Sequence, residues 1–465
     1  MALLLAGCAH YQPAPISPAK SLADFNARTL AEPGLRAFLE KTLNRQVSPW
    51  PPGTWDFPTL TLVAFYFHPG LDVVRAHWRV TQAGVQTAGG RPNPVLSVVP
   101  GYSFNPASGV SPWFPLANLD VPIETAGKRG QRIAQAQHLS EAARLNIVTT
   151  AWQVRGNLRA SLLDCAAAKQ RAELLRRQLH LEQQIVSLLE QRLEAGAVAR
   201  TDLTLPRIAL ARTAADLAAA ERQTAEGRVR IADALGLSVK AIAGAGFDFP
   251  LSIPAGFGSE LTSDEARQQA LLSRPDLLSA LAEYAASQSA LQLEIAKQYP
   301  DIHLGTGYQF DQGEHKWSLG LAAELPVLNR NQGPTAEAQA RREESANRFV
   351  ALQARILADI DRALAVRASA MEQVTRQRQL TQLAREQSTA AEALFQAGAT
   401  DRLELASAQL EAGVNDLAYL DAQLKAQQAL GQLEEAIQRP IEPWPALEPG
   451  RALRSSKLRG PDQSP

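Results

Sequence analysis

Two apolar periods alternate along the chain, and each occurs twice. Across 95–104, Leu96, Val98, Tyr102 and Phe104 fall on one face of an extended chain, while Ser97, Gly101 and Ser103 fall on the other. Across 302–310, Ile302, Leu304, Tyr308 and Phe310 oppose His303, Gly305, Gly307 and Gln309 in the same way. The return segments alternate too: Trp113, Ala117, Leu119 and Val121 against Asn118 and Asp120, then Trp317, Leu319, Leu321, Ala323 and Leu325 against Lys316, Ser318, Gly320 and Glu324. A period of two predicts four half-buried strands in two hairpins, joined by turn-rich loops at 105–112 and 311–315. Elsewhere the spacing is seven. Leu174, Leu181 and Leu188 recur with Ile185 between them, followed by Leu203, Leu210 and Leu217, and later Leu403, Leu410, Leu417 and Leu424. That spacing keeps one seam turned toward a partner helix. It predicts very long helices over 130–195 and 335–397, each roughly 100 Å at about 1.5 Å per residue. Short turns at Gly196 and Gly398 lead into last helices ending near Leu235 and Gln438, so each pair is antiparallel.

The recurrence is a duplication. At an offset of 206, His68-Pro69 meets Arg274-Pro275, Pro94 meets Pro300, and Gly101, Tyr102 and Phe104 meet Gly307, Tyr308 and Phe310. The offset then shrinks steadily. Val121-Pro122-Ile123 meets Leu325-Pro326-Val327 at 204, Gly130 meets Gly333 at 203, and Ala195-Gly196 meets Ala397-Gly398 at 202. The chain divides into a signal and extended, proline-rich arm (1–66), a first repeat of helix, hairpin, long helix and helix (67–235), a Gly/Pro-rich linker (236–262), a second repeat (263–438) and a tail (439–465).

Composition narrows the functional classes. Lys plus Arg and Asp plus Glu are both 47 among 465 residues, so no charge excess points to nucleic acid. Aromatics are only 6%, which favours long helices over a large mixed core. The seven histidines are scattered, and no nucleophile motif, phosphate loop or metal-ligand spacing occurs; we expect no enzyme, no cofactor and no resident metal. Cys165 lies in a helical stretch and reads as a small buried hydrophobe. No apolar run reaches the roughly 18 residues of a membrane-spanning helix, but strands of about ten residues are long enough to cross an outer membrane when tilted. Four strands cannot close a barrel, and lipid does not accept open edges, so the strands must be pooled between copies. Two copies give eight, a filled barrel; three give twelve and room for a water-filled lumen, which transport requires.

Two resemblances add to this. Leu5-Ala6-Gly7-Cys8 resembles a bacterial lipobox, which implies cleavage before Cys8, lipid attachment to its thiol and outer-membrane delivery. The duplicated strand hairpins between long helices resemble the TolC-like outer-membrane factor family. The local elements are Arg91-Pro92-Asn93-Pro94 before the first strand, Val121-Pro122-Ile123-Glu124 and Gly127-Lys128-Arg129 after the first hairpin, and Pro326-Val327-Leu328-Asn329-Arg330-Asn331-Gln332-Gly333 after the second. These look like the CzcC-type branch of heavy-metal efflux.

The resemblance implies a mainly α fold with β. Long antiparallel coiled-coil helices form a periplasmic α-barrel, and four membrane strands per chain contribute to a trimeric twelve-stranded β-barrel. It further implies a homotrimer in outer-membrane lipid, working with a periplasmic membrane-fusion adaptor and an inner-membrane RND pump, with no nucleic acid. The channel conducts passively. The cargo is expected to be heavy-metal cations; drug, small-molecule or type I protein export is the alternative, and a periplasmic coiled-coil adaptor is the competing class. The gate is expected at the periplasmic tip, with Asp202 and Glu404 on the acidic positions and Arg402 in place of a basic partner whose position holds Thr400. The tip glycines Gly196 and Gly398 are expected to meet the adaptor.

Overall fold

The computed structural model describes residues 11–253 and 262–441. The first departure from expectation is the N-terminal arm, which is largely helical. It forms α1 (Pro18–Ala27) and α2 (Pro33–Leu43), then β1 (Thr54–Asp56), then α3 (Phe57–Phe67). Each helix carries proline in its first two positions. In the sequence these prolines suggest extended chain. At a helix start the missing N–H is one that no carbonyl of the helix would accept, so proline begins a helix without loss. The Asp56 carboxylate completes the start of α3 by accepting the Thr59 N–H at 2.9 Å.

The first repeat continues with α4 (Pro69–Ala88), β2 (Val95–Val99), β3 (Leu116–Ile123), α5 (Lys128–Glu194) and α6 (Thr204–Leu235). In the linker, β4 (Gly246–Asp248) pairs in parallel with β1, so the arm and the linker close on each other. The second repeat consists of α7 (Ser263–Ser273), α8 (Pro275–Ala296), β5 (Ile302–Asp311), β6 (Glu314–Ala323), α9 (Gln332–Gln396) and α10 (Arg402–Ile437). No helix among the described residues is long and apolar enough to cross a membrane. The main apolar core lies where the arm packs on the upper part of the first hairpin. Trp55, Leu35, Leu39 and Leu60 of the arm join Leu158 and Leu162 of α5 and Ile231 and Leu235 of α6. Arg28 holds the arm there, donating to the carbonyls of Phe67 at 3.0 Å and Gly236 at 3.1 Å.

The seven-residue spacing also needs refinement. The leucine line implies one seam per helix, but α5 packs on α6 and α10 and also on α4 and α8. Ala172 and Leu175 pack with Ala220 of α6, whereas Leu174 joins a cluster with Leu420 and Leu424 of α10. The closest approach uses small residues: a Cβ on Gly227 would stand 2.9 Å from the Cys165 Cβ. Cys165 is half-buried, and burial pushes its thiol up, away from the reactive thiolate.

The α5–α10 seam holds a buried polar network. Arg155 donates to Glu434 at 2.9 Å, with exposures of only 8% and 3%, and its guanidinium lies over the Phe57 ring. Arg159 reaches the Gln427 carbonyl and side chain, both at 2.7 Å. A Cβ on Gly431 would stand 2.5 Å from the Arg159 Nη1, so a side chain there would displace this guanidinium. Gln427 in turn donates to the linker carbonyls of Pro250 and Leu251.

The four membrane-length segments form one antiparallel sheet in the order β2-β3-β5-β6. The two repeats meet along β3 and β5, in register from Leu116↔Gln309 to Ile123↔Ile302. The predicted first strand is cut short. β2 ends at Val99, and beyond it only Tyr102 bridges Trp113. Pro100 has no N–H for the ladder, and the copy at 306 is Thr306, which lets β5 continue. The duplication survives in side chains: Tyr102–Trp113 and Tyr308–Trp317 are aromatic pairs with centroids 4.9 Å apart in both repeats.

Removing one member of the buried network should be costly. Glu434→Ala leaves two buried guanidinium groups without their carboxylate and is expected to cost about 3–5 kcal/mol. Thermal unfolding in detergent checks this; a loss no larger than that of an exposed pair would show that the network is solvated.

Candidate functional site

The narrow ends of the two helical hairpins are built alike. At the first, Gly196 has φ of 73°, its N–H donates to the Leu193 carbonyl, and the Ala197 N–H donates to the Arg192 carbonyl. At the second, Gly398 has φ of 71°, with Gly398 donating to Phe395 and Ala399 to Leu394. This is the paired capping that ends a helix through a left-handed residue, where glycine avoids a side-chain clash. Both glycines are exposed.

After the turns the repeats differ. In the first, Asp202 spends its carboxylate on its own turn, accepting the Ala199 N–H at 2.9 Å. In the second, Asp401 caps α10 by accepting the N–H groups of Leu403 at 2.8 Å and Glu404 at 2.9 Å. Glu404 accepts from the Thr400 hydroxyl. Arg402 is exposed and belongs to none of the ion pairs among the described residues. The structure therefore does not join Asp202, Glu404 and Arg402 to one another.

It does make a link the sequence did not reveal. Arg192, near the end of α5, donates to Asp401 at 2.5 Å and ties the two hairpins of one chain together at their tips. The Asp401 carboxyl is held below its ordinary value, first by the Glu404 backbone N–H and then by Arg192. A capping aspartate ahead of Glu404 was visible in the sequence; its partner, 209 positions away, was not.

Toward the wide end, the sheet has one polar face. Cross-strand pairing puts Asn118 and Asp120 beside His303, Gly305 and Gly307, and then Ser318 and Gly320. On it His303 Nδ1 lies 2.9 Å from Asp120 Oδ2. Leu319, Leu321 and Trp317 occupy the opposite face and are exposed. At the joint between strands and helices, the buried Lys128 ammonium donates to Asp301 at 2.7 Å and to the Tyr299 carbonyl at 2.6 Å. Thr125 donates its N–H to Asp301 at 2.9 Å and its hydroxyl to Pro300. Arg129 donates to the Gly89 carbonyl at 2.7 Å, and Arg132 forms an ion pair with Glu124. Cys8, the expected lipid attachment site, lies outside the described residues.

The family described as outer membrane efflux protein matches residues 68–237 and 266–438. The cobalt-zinc-cadmium resistance protein CzcC of Cupriavidus metallidurans is 25% identical over 239 residues. That match covers 50% of this chain and 55% of CzcC, little more than half its length. The pyoverdine export outer membrane protein OpmQ of Pseudomonas putida is 28% identical over 344 residues, covering 68% of this chain and 70% of that protein. Among solved structures, the outer-membrane channel OprN has the same fold, with a TM-score of 0.69 over 94% of this chain and 100% of OprN, at 18% identity.

The tip clasp has a defined pH response. Because the Asp401 pKa is lowered from 3.8, its contribution is fully present above that value and is lost as pH falls through the depressed one. Hydrogen exchange at the Leu403 and Glu404 amides is expected to show constant protection from pH 8 to pH 5, with loss only below about pH 4. Protection that fades near neutral pH would assign the cap to another group.

Proposed function

The chain belongs to the outer membrane efflux protein family, and from that premise we propose that it is the outer-membrane exit duct of a tripartite efflux machine. One observation carries the reading: a four-stranded antiparallel sheet, with β5 and β6 each ten residues long, ends in two free edges, β2 and β6. Lipid offers no partner for edge N–H and C=O groups, so copies of the chain must supply them. Three copies make twelve strands and an aqueous lumen. The apolar faces around Trp317, Leu319 and Leu321 turn to lipid, and the face carrying Asn118, Asp120 and Ser318 turns to water. Below the membrane six helical hairpins continue the duct through the periplasm. Lipidation of Cys8 anchors the mature N-terminus in the same bilayer.

The duct does no chemistry. An inner-membrane RND pump supplies the energy, and a periplasmic adaptor meets the small-residue tips at Gly196 and Gly398. The tips also carry the gate of the channel. Asp202 and Glu404 provide its acidic constriction, and the Arg192–Asp401 link holds the two hairpins of each chain together. The cargo is heavy-metal cations, a reading supported by the likeness to a cobalt-zinc-cadmium resistance protein. A second reading, export of a small organic molecule, is supported by the longer match to a pyoverdine export protein.

Deleting the gene is expected to lower tolerance to cobalt, zinc or cadmium, with restoration by the full-length chain. Unchanged tolerance to all three favours the second reading. In bilayer recordings Glu404→Gln is expected to raise conductance or cation leak, and unchanged conductance and selectivity would remove the gate role of this residue.

A further inference from the structure

The two repeats treat their strand–helix joints differently, and the difference leaves positive charge uncompensated. Within the chain, the β3–α5 joint meets the α8–β5 joint, where Asp301 neutralises Lys128. One helical turn earlier, Glu294 neutralises Lys297 at 2.6 Å. In a trimer, on which this inference rests, the β6–α9 joint of one chain meets the α4–β2 joint of the next by the same repeat relation.

At that second kind of joint the α4–β2 side lacks these acids, and on the β6–α9 side the carboxylate of Glu294 accepts from the Asn331 side chain at 3.0 Å. The offset of 206 places Val95 at Asp301 and Ala88 at Glu294, but keeps a base, Arg91, at Lys297. On the other side Asn331 takes the left-handed cap position that Gly127 takes in the first repeat, so Gln332 replaces Lys128 and Arg330 stands where Ala126 stands. Arg129 adds a third guanidinium beside Arg91, bonded to the Gly89 carbonyl. Among the described residues none of Arg91, Arg129 and Arg330 is paired with a carboxylate, whereas Arg132 in the same region has Glu124. Glu324 follows the end of β6 and belongs to none of the ion pairs among the described residues.

The surroundings point to the occupant. Directly before Arg330, Leu325 and Val327 are each 72% exposed and Leu328 is 97% exposed, and Tyr299 lies exposed at the same level. Arginines at the foot of an apolar, lipid-facing strand match a phosphate with acyl chains above it. The guanidinium fork suits phosphate oxygens in a two-pronged contact. A zwitterionic headgroup would bring its own ammonium into an already cationic site.

We propose that each joint between neighbouring chains binds the phosphate of an anionic phospholipid from the periplasmic leaflet of the outer membrane. Arg91 and Arg129 of one chain and Arg330 of the next hold it, in the place that Asp301 fills inside the chain. The lipid is then part of the trimer contact.

Native mass spectrometry of the full-length protein in detergent tests this. The mass of the assembly is read first. A species that is not trimeric overturns the trimer reading and this inference with it. With a trimer in hand, phosphatidylglycerol and phosphatidylcholine of the same acyl chains are added in equal amounts. The expected result is retention of up to three phosphatidylglycerol molecules, favoured about tenfold, the size expected for charge-assisted bonds. Arg91→Gln with Arg330→Gln is expected to remain trimeric and lose the preference. Equal retention of both lipids, an unchanged preference in the double variant, or displacement of the lipid by equimolar inorganic phosphate would each overturn the lipid assignment and leave the trimer standing.

Discussion

Everything in this molecule follows from the unpaired edges of its sheet. A strand edge presents a row of N–H and C=O groups, and hydrocarbon has nothing to offer them. One chain supplies four strands, too few to curl back on themselves. In the proposed trimer closure comes from outside the chain, and the rest of the architecture fits that reading. The helices must carry a geometry compatible with copies standing side by side, and the duplicated joints must match around a ring. The register along β3 and β5 shows what such a joint looks like when both halves belong to one chain.

The helical part meets the same demand by different means. Its hairpins have little apolar core of their own, and small residues such as Gly227, Ala172 and Ala220 let backbones approach closely. What distinguishes the contact between unlike repeats is polar. Arg155, Arg159, Gln427 and Glu434 are buried together and bonded to the linker. Arg192 and Asp401, at 39% and 55% exposure, make the same seam at the tip, where solvent screens them. One seam is thus firmly held at its wide end and lightly held at its narrow end.

Much of this was legible in the sequence because it is periodic. The strand alternation, the long helices and the repeat offsets use the two signals that a linear chain displays best. The failures have particular causes. Pro18, Pro33 and Pro58 begin helices, and a proline at that position reads the same as one in extended chain. Pro100 ends β2 early, although the side-chain alternation runs on to Phe104. Leucine spacing reveals that α5 has a partner but not that it has several. The Arg192–Asp401 and Asp120–His303 pairs join residues 209 and 183 positions apart, and no local pattern announces them. The candidate gate residues were chosen by position from the tip glycine; what their side chains bond to depends on turn geometry that spacing does not encode.

The buried pair of Arg155 and Glu434 bears on how the two repeats relate to each other. Counting outward from the tips, Leu357 stands where Arg155 would be needed and Ala232 where Glu434 would be needed. Six identical half-length polypeptides made from either repeat would therefore lack one side of the buried network at every contact. The doubling that this chain records has let equivalent positions of its halves diverge into complementary pieces of one network.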